Sequence, residues 1–289
     1  MITHPFTYQA PATIEEAVGS LGRTGDAKVI AGGHSLLPLM KLGLEQPEAL
    51  IDLRRIPSLA EIRTEADGTI AVGALATHRS ISHHEAIRQK LAALAEAASM
   101  VGDLQVRARG TIGGSLAHAD PAADEPAPTL AFEATIRAVG PQGRRDIRAA
   151  DFFKGPFETA LAANEIVTEI RFPAPQARTG SAYAKFAHPA SRFAVTGVAA
   201  VVTVKADGGI ERAAIGVTGA AAAAYRAAEA ERALTGTKGD AKAIAAAAAK
   251  AADGITALSD LVASSEYRKH LVTIYAKRAI ERAIQRARS

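Results

Sequence analysis

The sequence contains no cysteine in 289 residues. That excludes disulfides, thiolate nucleophiles, cysteine zinc sites and iron–sulfur clusters together, so redox chemistry in this chain has to come from a bound organic cofactor. Long apolar runs are missing as well. None reaches the roughly 18 residues needed to cross a bilayer, and the opening MITHPFTYQAP lacks the basic-then-apolar layout of a signal peptide. The expectation is a cytoplasmic protein without a membrane span. Aromatic residues make up only 4% of the chain and do not interleave with basic ones, so the net charge of +4 does not point to nucleic acid. Much of the basic surplus lies in YRKHLVTIYAKRAIERAIQRARS, where Arg278, Arg282 and Arg286 recur at i, i+4 and i+8. A solvated helix face is the expectation there, with partner docking as the alternative.

What is present divides into three sections, 1–53, 54–176 and 177–289. In the first, Thr13 followed by Glu16 reads as a capping box opening the helix IEEAVGSLGR, and VIA and ALIDL read as short buried strands of a βαβ-like unit. In the second, EIRTE and TIAVGA bracket an Asp67-Gly68 turn. Ser82 with Glu85 predicts the cap of one long helix carrying Ile87, Leu91, Leu94 and Ala98, and TIRAVG and IVTEIRF read as further strands. In the third, AYAKFA, AVTGVAAVVTVKA and IERAAIGVTGA predict a three-stranded antiparallel sheet, the last two strands joined through Asp207-Gly208-Gly209. Alanine-rich helices follow in AEAERAL, AKAIAAAAAKAA and the segment from Ser264 onward.

Two glycine segments carry the chemistry. AGGHS at 31–35 follows a buried strand, and TIGGS at 111–115 stands about 80 residues later in a different section. Gly-Gly permits positive φ and lets backbone N–H groups converge on an anion without a lysine. One such segment is ordinarily only a tight turn, but two suit the two phosphates of a pyrophosphate. Neither is followed by GK[ST], and neither is GxGxxG, so Walker and Rossmann sites are both excluded. The ligand expected is a dinucleotide-like cofactor held between two lobes.

Five ordered stretches carry a family resemblance: FTYQAPATIEEAV, VIAGGHSLLPLMKLGL, ALIDLRRI, QVRARGTIGGSLAHADPAADEPAPTLA and KFAHPASRFAVTGVAA. They resemble the FAD-binding medium subunit of molybdenum hydroxylases, the family of carbon monoxide dehydrogenase medium subunits and the xanthine dehydrogenase flavin domain. The resemblance implies an α+β fold of the vanillyl-alcohol oxidase type, with two α+β FAD-binding subdomains followed by a C-terminal domain of sheet and helices. It implies that FAD is held here, while the molybdenum cofactor sits on a large partner subunit and two 2Fe-2S clusters on a small one. A dimer of such heterotrimers, with electrons leaving from FAD to an external acceptor, completes the implied arrangement.

The same resemblance assigns residues. Ala31, Gly32, Gly33, His34 and Ser35 would wrap the pyrophosphate through backbone N–H groups, and Thr111, Gly113, Gly114 and Ser115 would supply the second half. Asp124 matches an acidic position that touches FAD, and Lys185 a basic one close to the flavin ring. Val101 and Val167 match apolar cofactor-lining positions. Phe193 stands where relatives often carry a tyrosine near the isoalloxazine, so the ring is kept and its hydroxyl lost. The loop His188–Arg192 is the candidate gate for the electron acceptor. Each has a plainer reading: Asp124 as a helix cap, Lys185 as a solvated strand lysine, His34 as a backbone contributor only, and His118, Asp120 and Asp124 as metal ligands. A self-contained flavoenzyme and a non-redox nucleotide-binding module are the alternative functions. The substrate of the molybdenum partner leaves no mark in this chain.

Overall fold

The computed structural model describes residues 3–289. The first sheet is built from β1 (Thr7–Gln9), α1 (Ile14–Arg23), β2 (Ala27–Ile30), α2 (Leu36–Leu42) and β3 (Ala49–Asp52). Its strands are parallel in the order β1-β3-β2. Thr13 Oγ1 accepts the Glu16 N–H at 3.2 Å, making the expected cap, and Glu16 Oε2 reaches back to Ala12 N–H at 2.9 Å, one residue before the cap rather than to the cap residue itself. α1 thereby turns Ala17, Val18 and Leu21 onto Ile51 and Leu53.

A second sheet follows, fed by a run of short helices. The chain makes β4 (Ile62–Thr64) and β5 (Ile70–Gly73), then α3 (His78–His83), α4 (Glu85–Lys90), α5 (Ala92–Met100), α6 (Leu104–Arg109), α7 (Ile112–His118) and α8 (Pro126–Ala131). Next come β6 (Thr135–Gly140), β7 (Gly143–Arg148), α9 (Ala149–Phe152), β8 (Phe153–Gly155), β9 (Glu158–Thr159) and β10 (Ile166–Phe172). The sheet order is β4-β5-β10-β6-β7, and every pairing is antiparallel.

Two expectations about this region are corrected. The single helix expected after Ser82 is two helices, α4 and α5, broken at Leu91, and Ser82 itself lies inside α3, which ends at His83. Ser82 caps nothing: its hydroxyl donates back to the Arg79 carbonyl at 3.0 Å, a local bond that competes with helix continuation. Thr77 caps α3, accepting the Ser80 N–H at 3.1 Å, and α4 starts after His84 with no side-chain cap. The four apolar residues of the pattern, Ile87, Leu91, Leu94 and Ala98, are nonetheless fully buried. The TIGGS segment is also not a loop. Thr111 Oγ1 accepts the Gly114 N–H at 3.2 Å, and this cap starts α7 through both glycines despite a helix propensity about 1 kcal/mol per glycine below that of alanine.

The third sheet is antiparallel, β11 (Thr179–Ala187), β12 (Ala194–Val204), β13 (Ile210–Thr218) and β14 (Tyr225–Arg226) in that order. It has four strands where three were expected, because Tyr225 and Arg226 pair with Val217 and Gly216; a two-residue strand is too short to leave an alternating pattern. α10 (Ala228–Leu234), α11 (Ala241–Ala249) and α12 (Ser265–Arg288) cover one face of this sheet. Its other face, through Tyr183, Ala199, Val201 and Ala214, joins the apolar core of the second sheet and its helices.

The arginine stripe of α12 faces solvent, as expected, but two of its members are also tied to the second sheet's helices. Arg282 and Arg286 both donate to Glu96 Oε1 on α5, at 2.5 and 2.6 Å, and to the carbonyls of Tyr183 and Ser181. Only Arg278 stays out of this network, its guanidinium 4.8 Å from the centre of the Tyr275 ring. Among the described residues no helix is long and apolar enough to cross a membrane.

Candidate functional site

The first glycine segment links β2 to α2. The N–H groups of Gly32, Gly33, His34 and Ser35 donate no hydrogen bond to any group among the described residues, and Ser35 makes no side-chain cap. Gly33 has φ +77°, a conformation that costs glycine nothing. Four consecutive undonated N–H groups beside a positive-φ glycine form a concavity suited to an anion. His34 and Ser35 are exposed at its mouth.

The second segment contributes differently. The Ile112 and Gly113 N–H groups are spent on the carbonyls of Ala76 and Ala74, and the Gly114 and Ser115 N–H groups on Thr111. What this segment offers a ligand is therefore the Thr111 and Ser115 hydroxyls and a bare surface at Gly114. A Cβ on Gly114 would meet Thr111 Oγ1 at 2.9 Å and otherwise only the Ala31 side chain, 3.9 Å away in the first segment. The two segments thus face each other directly. The first also abuts the entry to the second, since a Cβ on Gly32 would lie 2.2 Å from the Arg109 carbonyl oxygen, while Gly113 packs on Ala74 after β5, where a Cβ would lie 2.5 Å from the Ala74 side chain.

Asp124 and Lys185 meet at the junction of the second and third sheets. Lys185 Nζ donates to Asp124 Oδ2 at 2.8 Å and to the Met100 carbonyl at 3.1 Å, with 1% of the lysine side chain exposed. Tyr183 OH donates to the other carboxylate oxygen at 2.7 Å. Neither plain reading survives: Asp124 caps no helix, and Lys185 is not solvated. Burial pushes the Asp124 carboxyl above its ordinary value, while Lys185 and Tyr183 restrain that rise. The Tyr183 phenol is pushed well above 10, by burial first and by Asp124 second.

The remaining predicted residues are distributed around this frame. Val101 follows Met100 and is partly exposed, its carbonyl held by Arg107 at 2.8 Å. Val167 is buried in the central apolar core, at a bulge in β10. Phe193 is 48% exposed at the end of the β11–β12 hairpin. In that hairpin His188 Nδ1 accepts the N–H groups of Ala190 and Ser191 at 3.2 and 3.0 Å, and Arg192 adopts φ +62°. His118 and Asp120 do not converge on Asp124: Asp120 accepts the Ala122 N–H, and His118 stacks against Phe157 with ring centres 5.1 Å apart.

The sequence reading missed Tyr183, His78 and Glu125. Tyr183 and Lys185 stand at i and i+2 in AYAKFA, so they share one face of a strand and converge on the same carboxylate. Glu125, beside Asp124, is wholly buried, with its Oε1 2.6 Å from His78 Nδ1.

A dinucleotide fits these residues. The first segment supplies free N–H donors, and the second supplies hydroxyls and a glycine surface that a Cβ would fill. A family model described as FAD binding domain in molybdopterin dehydrogenase matches residues 4–175, and one described as CO dehydrogenase flavoprotein C-terminal domain matches residues 181–283. The chain is 40% identical over 284 residues to the carbon monoxide dehydrogenase medium chain of Hydrogenophaga pseudoflava, covering 98% of each. It is 37% identical to the 6-hydroxypseudooxynicotine dehydrogenase complex subunit alpha of Paenarthrobacter nicotinovorans, covering 98% of this chain and 96% of that one. A solved structure of the carbon monoxide dehydrogenase from Hydrogenophaga pseudoflava superposes with a TM-score of 0.95 at 42% identity, over 99% of each chain.

Proposed function

Because the chain belongs to the FAD-binding medium-subunit family of molybdenum-dependent dehydrogenases, we propose that it works in the cytoplasm as the electron-transferring subunit of a heterotrimer. A large subunit carries the molybdenum cofactor and oxidises the substrate, a small subunit relays electrons through 2Fe-2S clusters, and this chain passes them from FAD to an external acceptor. With no cysteine of its own, it needs the clusters to reside on another chain. Two such trimers pair in the full assembly.

The observation that carries the reading is the run of four undonated N–H groups from Gly32 to Ser35, set against Gly114. Those donors and the Thr111 and Ser115 hydroxyls hold the pyrophosphate, with Ala31 and Gly113 packing behind them. FAD, when bound, supplies the two-electron carrier. Lys185, fixed by Asp124, places a cation beside the flavin ring, where it favours the negative charge that reduction adds. Val101 and Phe193 cover the ring, and the hairpin His188–Arg192 stands where the acceptor approaches. Val167, buried in the apolar core, does not line the cofactor as the resemblance implied. The divisions 1–53, 54–176 and 177–289 are the two FAD-binding lobes and the C-terminal domain. The relatives are named for substrates as different as carbon monoxide and a nicotine derivative, which agrees with substrate choice residing in the large subunit.

The test is to co-express the chain with its neighbouring genes, purify through a tag on this chain alone, and record the absorption spectrum. Flavin bands with iron–sulfur absorbance and two further chains are the expected result. Flavin without partner chains would replace the proposal with a self-contained flavoenzyme, and a colourless protein that refuses added FAD would overturn it.

A further inference from the structure

Beyond the groups that would touch FAD lies a buried ion pair that connects them, and the inference drawn from it rests on the reading above. His78, the first residue of α3, is 5% exposed. Its backbone N–H donates to the Gly110 carbonyl at 3.0 Å, and its ring lies against Gly110 so closely that a Cβ there would meet Cδ2 and Nε2 at 2.7 Å. Its Nδ1 is 2.6 Å from Glu125 Oε1. Gly110 adjoins Thr111, the cap of α7, and Glu125 adjoins Asp124, the partner of Lys185. One pair of side chains therefore spans from the second glycine segment to the cation expected beside the flavin ring.

We propose that His78 and Glu125 act as a charged strut that sets the distance between the pyrophosphate end and the flavin end of the FAD site, with His78 as a positioning residue. Charge is what the location demands. Asp124 and Glu125 are consecutive buried carboxylates, and Lys185 and His78 are the two cations that answer them. The charged groups facing His78 are Glu125 and Asp124 from the segment before α8 and Arg107 from α6. Burial alone would pull the imidazole below its ordinary 6.5, but the charge and hydrogen bond of Glu125, with Asp124 behind, outweigh it and raise it. Glu125 Oε2 has no partner among the described residues, so His78 is the one side chain that answers this acid. A histidine that merely filled the core would matter to stability alone. A strut matters to how FAD is held in a chain that remains folded.

The experiment uses the full chain, with FAD affinity read from flavin fluorescence, the bound-flavin absorption spectrum, and thermal melting of the FAD-free protein. His78→Leu should weaken FAD binding at least tenfold and alter the bound spectrum, and His78→Asn, whose amide can still donate to Glu125 but carries no charge, should weaken it by a smaller factor that still exceeds about threefold. In the parent protein, affinity should fall as pH rises through the raised histidine pKa, and His78→Asn should abolish that dependence. Glu125→Gln keeps a hydrogen-bond acceptor but removes the charge, so it should weaken FAD binding and flatten the pH profile; it decides the matter if His78→Leu does not fold. Parental affinity and spectrum in the folded variants would overturn the strut while leaving the FAD assignment intact. A parent protein that takes up no FAD would overturn both.

Discussion

Gly32 rests its bare α-carbon against the Arg109 carbonyl, so near that a β-carbon would lie 2.2 Å from that oxygen and 2.8 Å from the Gly110 α-carbon. Two glycine segments about 80 residues apart in sequence are thereby built into one surface. Their glycines divide the work. Gly32 and Gly113 permit backbone-to-backbone packing within the chain, Gly33 supplies a positive-φ turn whose missing β-carbon would meet the Leu37 side chain, and Gly114 leaves its side toward the first segment open.

That division separates two substitutions that look alike in sequence. Gly32→Ala should destabilise the FAD-free protein by about 1–3 kcal/mol, because the obstacle is rigid backbone that can only be relieved by moving one segment off the other. FAD binding should fall with it. Gly114→Ala lies in a helix, where alanine recovers about 0.5–1 kcal/mol of propensity and offsets the tight approach to Thr111 Oγ1. Its melting temperature should stay within about 2–4 °C of the parent while FAD affinity drops at least tenfold. Thermal melting beside flavin titration distinguishes the two, and equal loss of stability in both would contradict the division.

Much of this was legible in the sequence, for reasons particular residues make plain. The strands around Asp67-Gly68 and Asp207-Gly208-Gly209 follow from turn chemistry between alternating segments, and the helix at Ile14 from its capping box. What escaped was long-range pairing. Nothing local in EAASM announces that Glu96 will receive two arginines 186 and 190 residues further on. Nothing local in ADEP says that Asp124 will find Lys185 rather than cap α8. TIGGS reads as a loop from the freedom of φ that paired glycines allow, and only the Thr111 cap makes it the start of a helix. Residue types were readable where one element determines them, and partners were not where two distant elements meet.

The Lys185 and Asp124 pair predicts an asymmetry. Lys185→Met removes the cation and leaves a carboxylate buried without charge compensation, which costs about 3–5 kcal/mol. Chemical denaturation of the FAD-free protein should register that loss. Adding Asp124→Leu to the same chain should recover most of the stability, since two apolar groups need no compensation. FAD affinity should not recover with it. In any Lys185 variant that retains FAD the flavin potential should move to more negative values, because the reduced form loses its nearby cation. Recovery of both stability and potential in the double variant would remove Lys185 from the site.

Acid should loosen the first sheet through Asp52. This carboxylate, 1% exposed at the end of β3, accepts Tyr8 OH at 2.6 Å from β1 and is gripped by Arg54. Burial acts to raise its pKa, but the hydrogen bonds from Arg54 and Tyr8 win and hold it below the ordinary 3.8. A carboxyl lowered in the folded state stabilises above its unfolded pKa, and that contribution disappears as pH falls through the folded value. Stability measured from pH 5 to pH 2 should therefore show a loss of about 1–3 kcal/mol attributable to this group. Asp52→Asn should be less stable at pH 5 and show a shallower decline, and parallel curves for the two proteins would refute the assignment.

Glu96 is the fastening of the C-terminal domain to the helices of the second. Its Oε1 accepts Arg282 and Arg286 from α12, and its Oε2 accepts the Tyr183 N–H at 2.7 Å, so one carboxylate ties α5, β11 and α12 together. Tyr183 in turn orients Asp124. Glu96→Ala strands two guanidinium groups and an amide at a partly buried junction, a loss of about 2–4 kcal/mol if each broken contact costs what charged hydrogen bonds typically do. Glu96→Gln should lose less, since its amide oxygen still accepts. The informative readout is hydrogen exchange: in Glu96→Ala, protection should fall along both β11 and α12 while the first sheet stays as in the parent. If protection fell evenly over the whole chain, Glu96 would be one more contributor to global stability, and the arginine stripe would not be the latch that its bonding pattern describes.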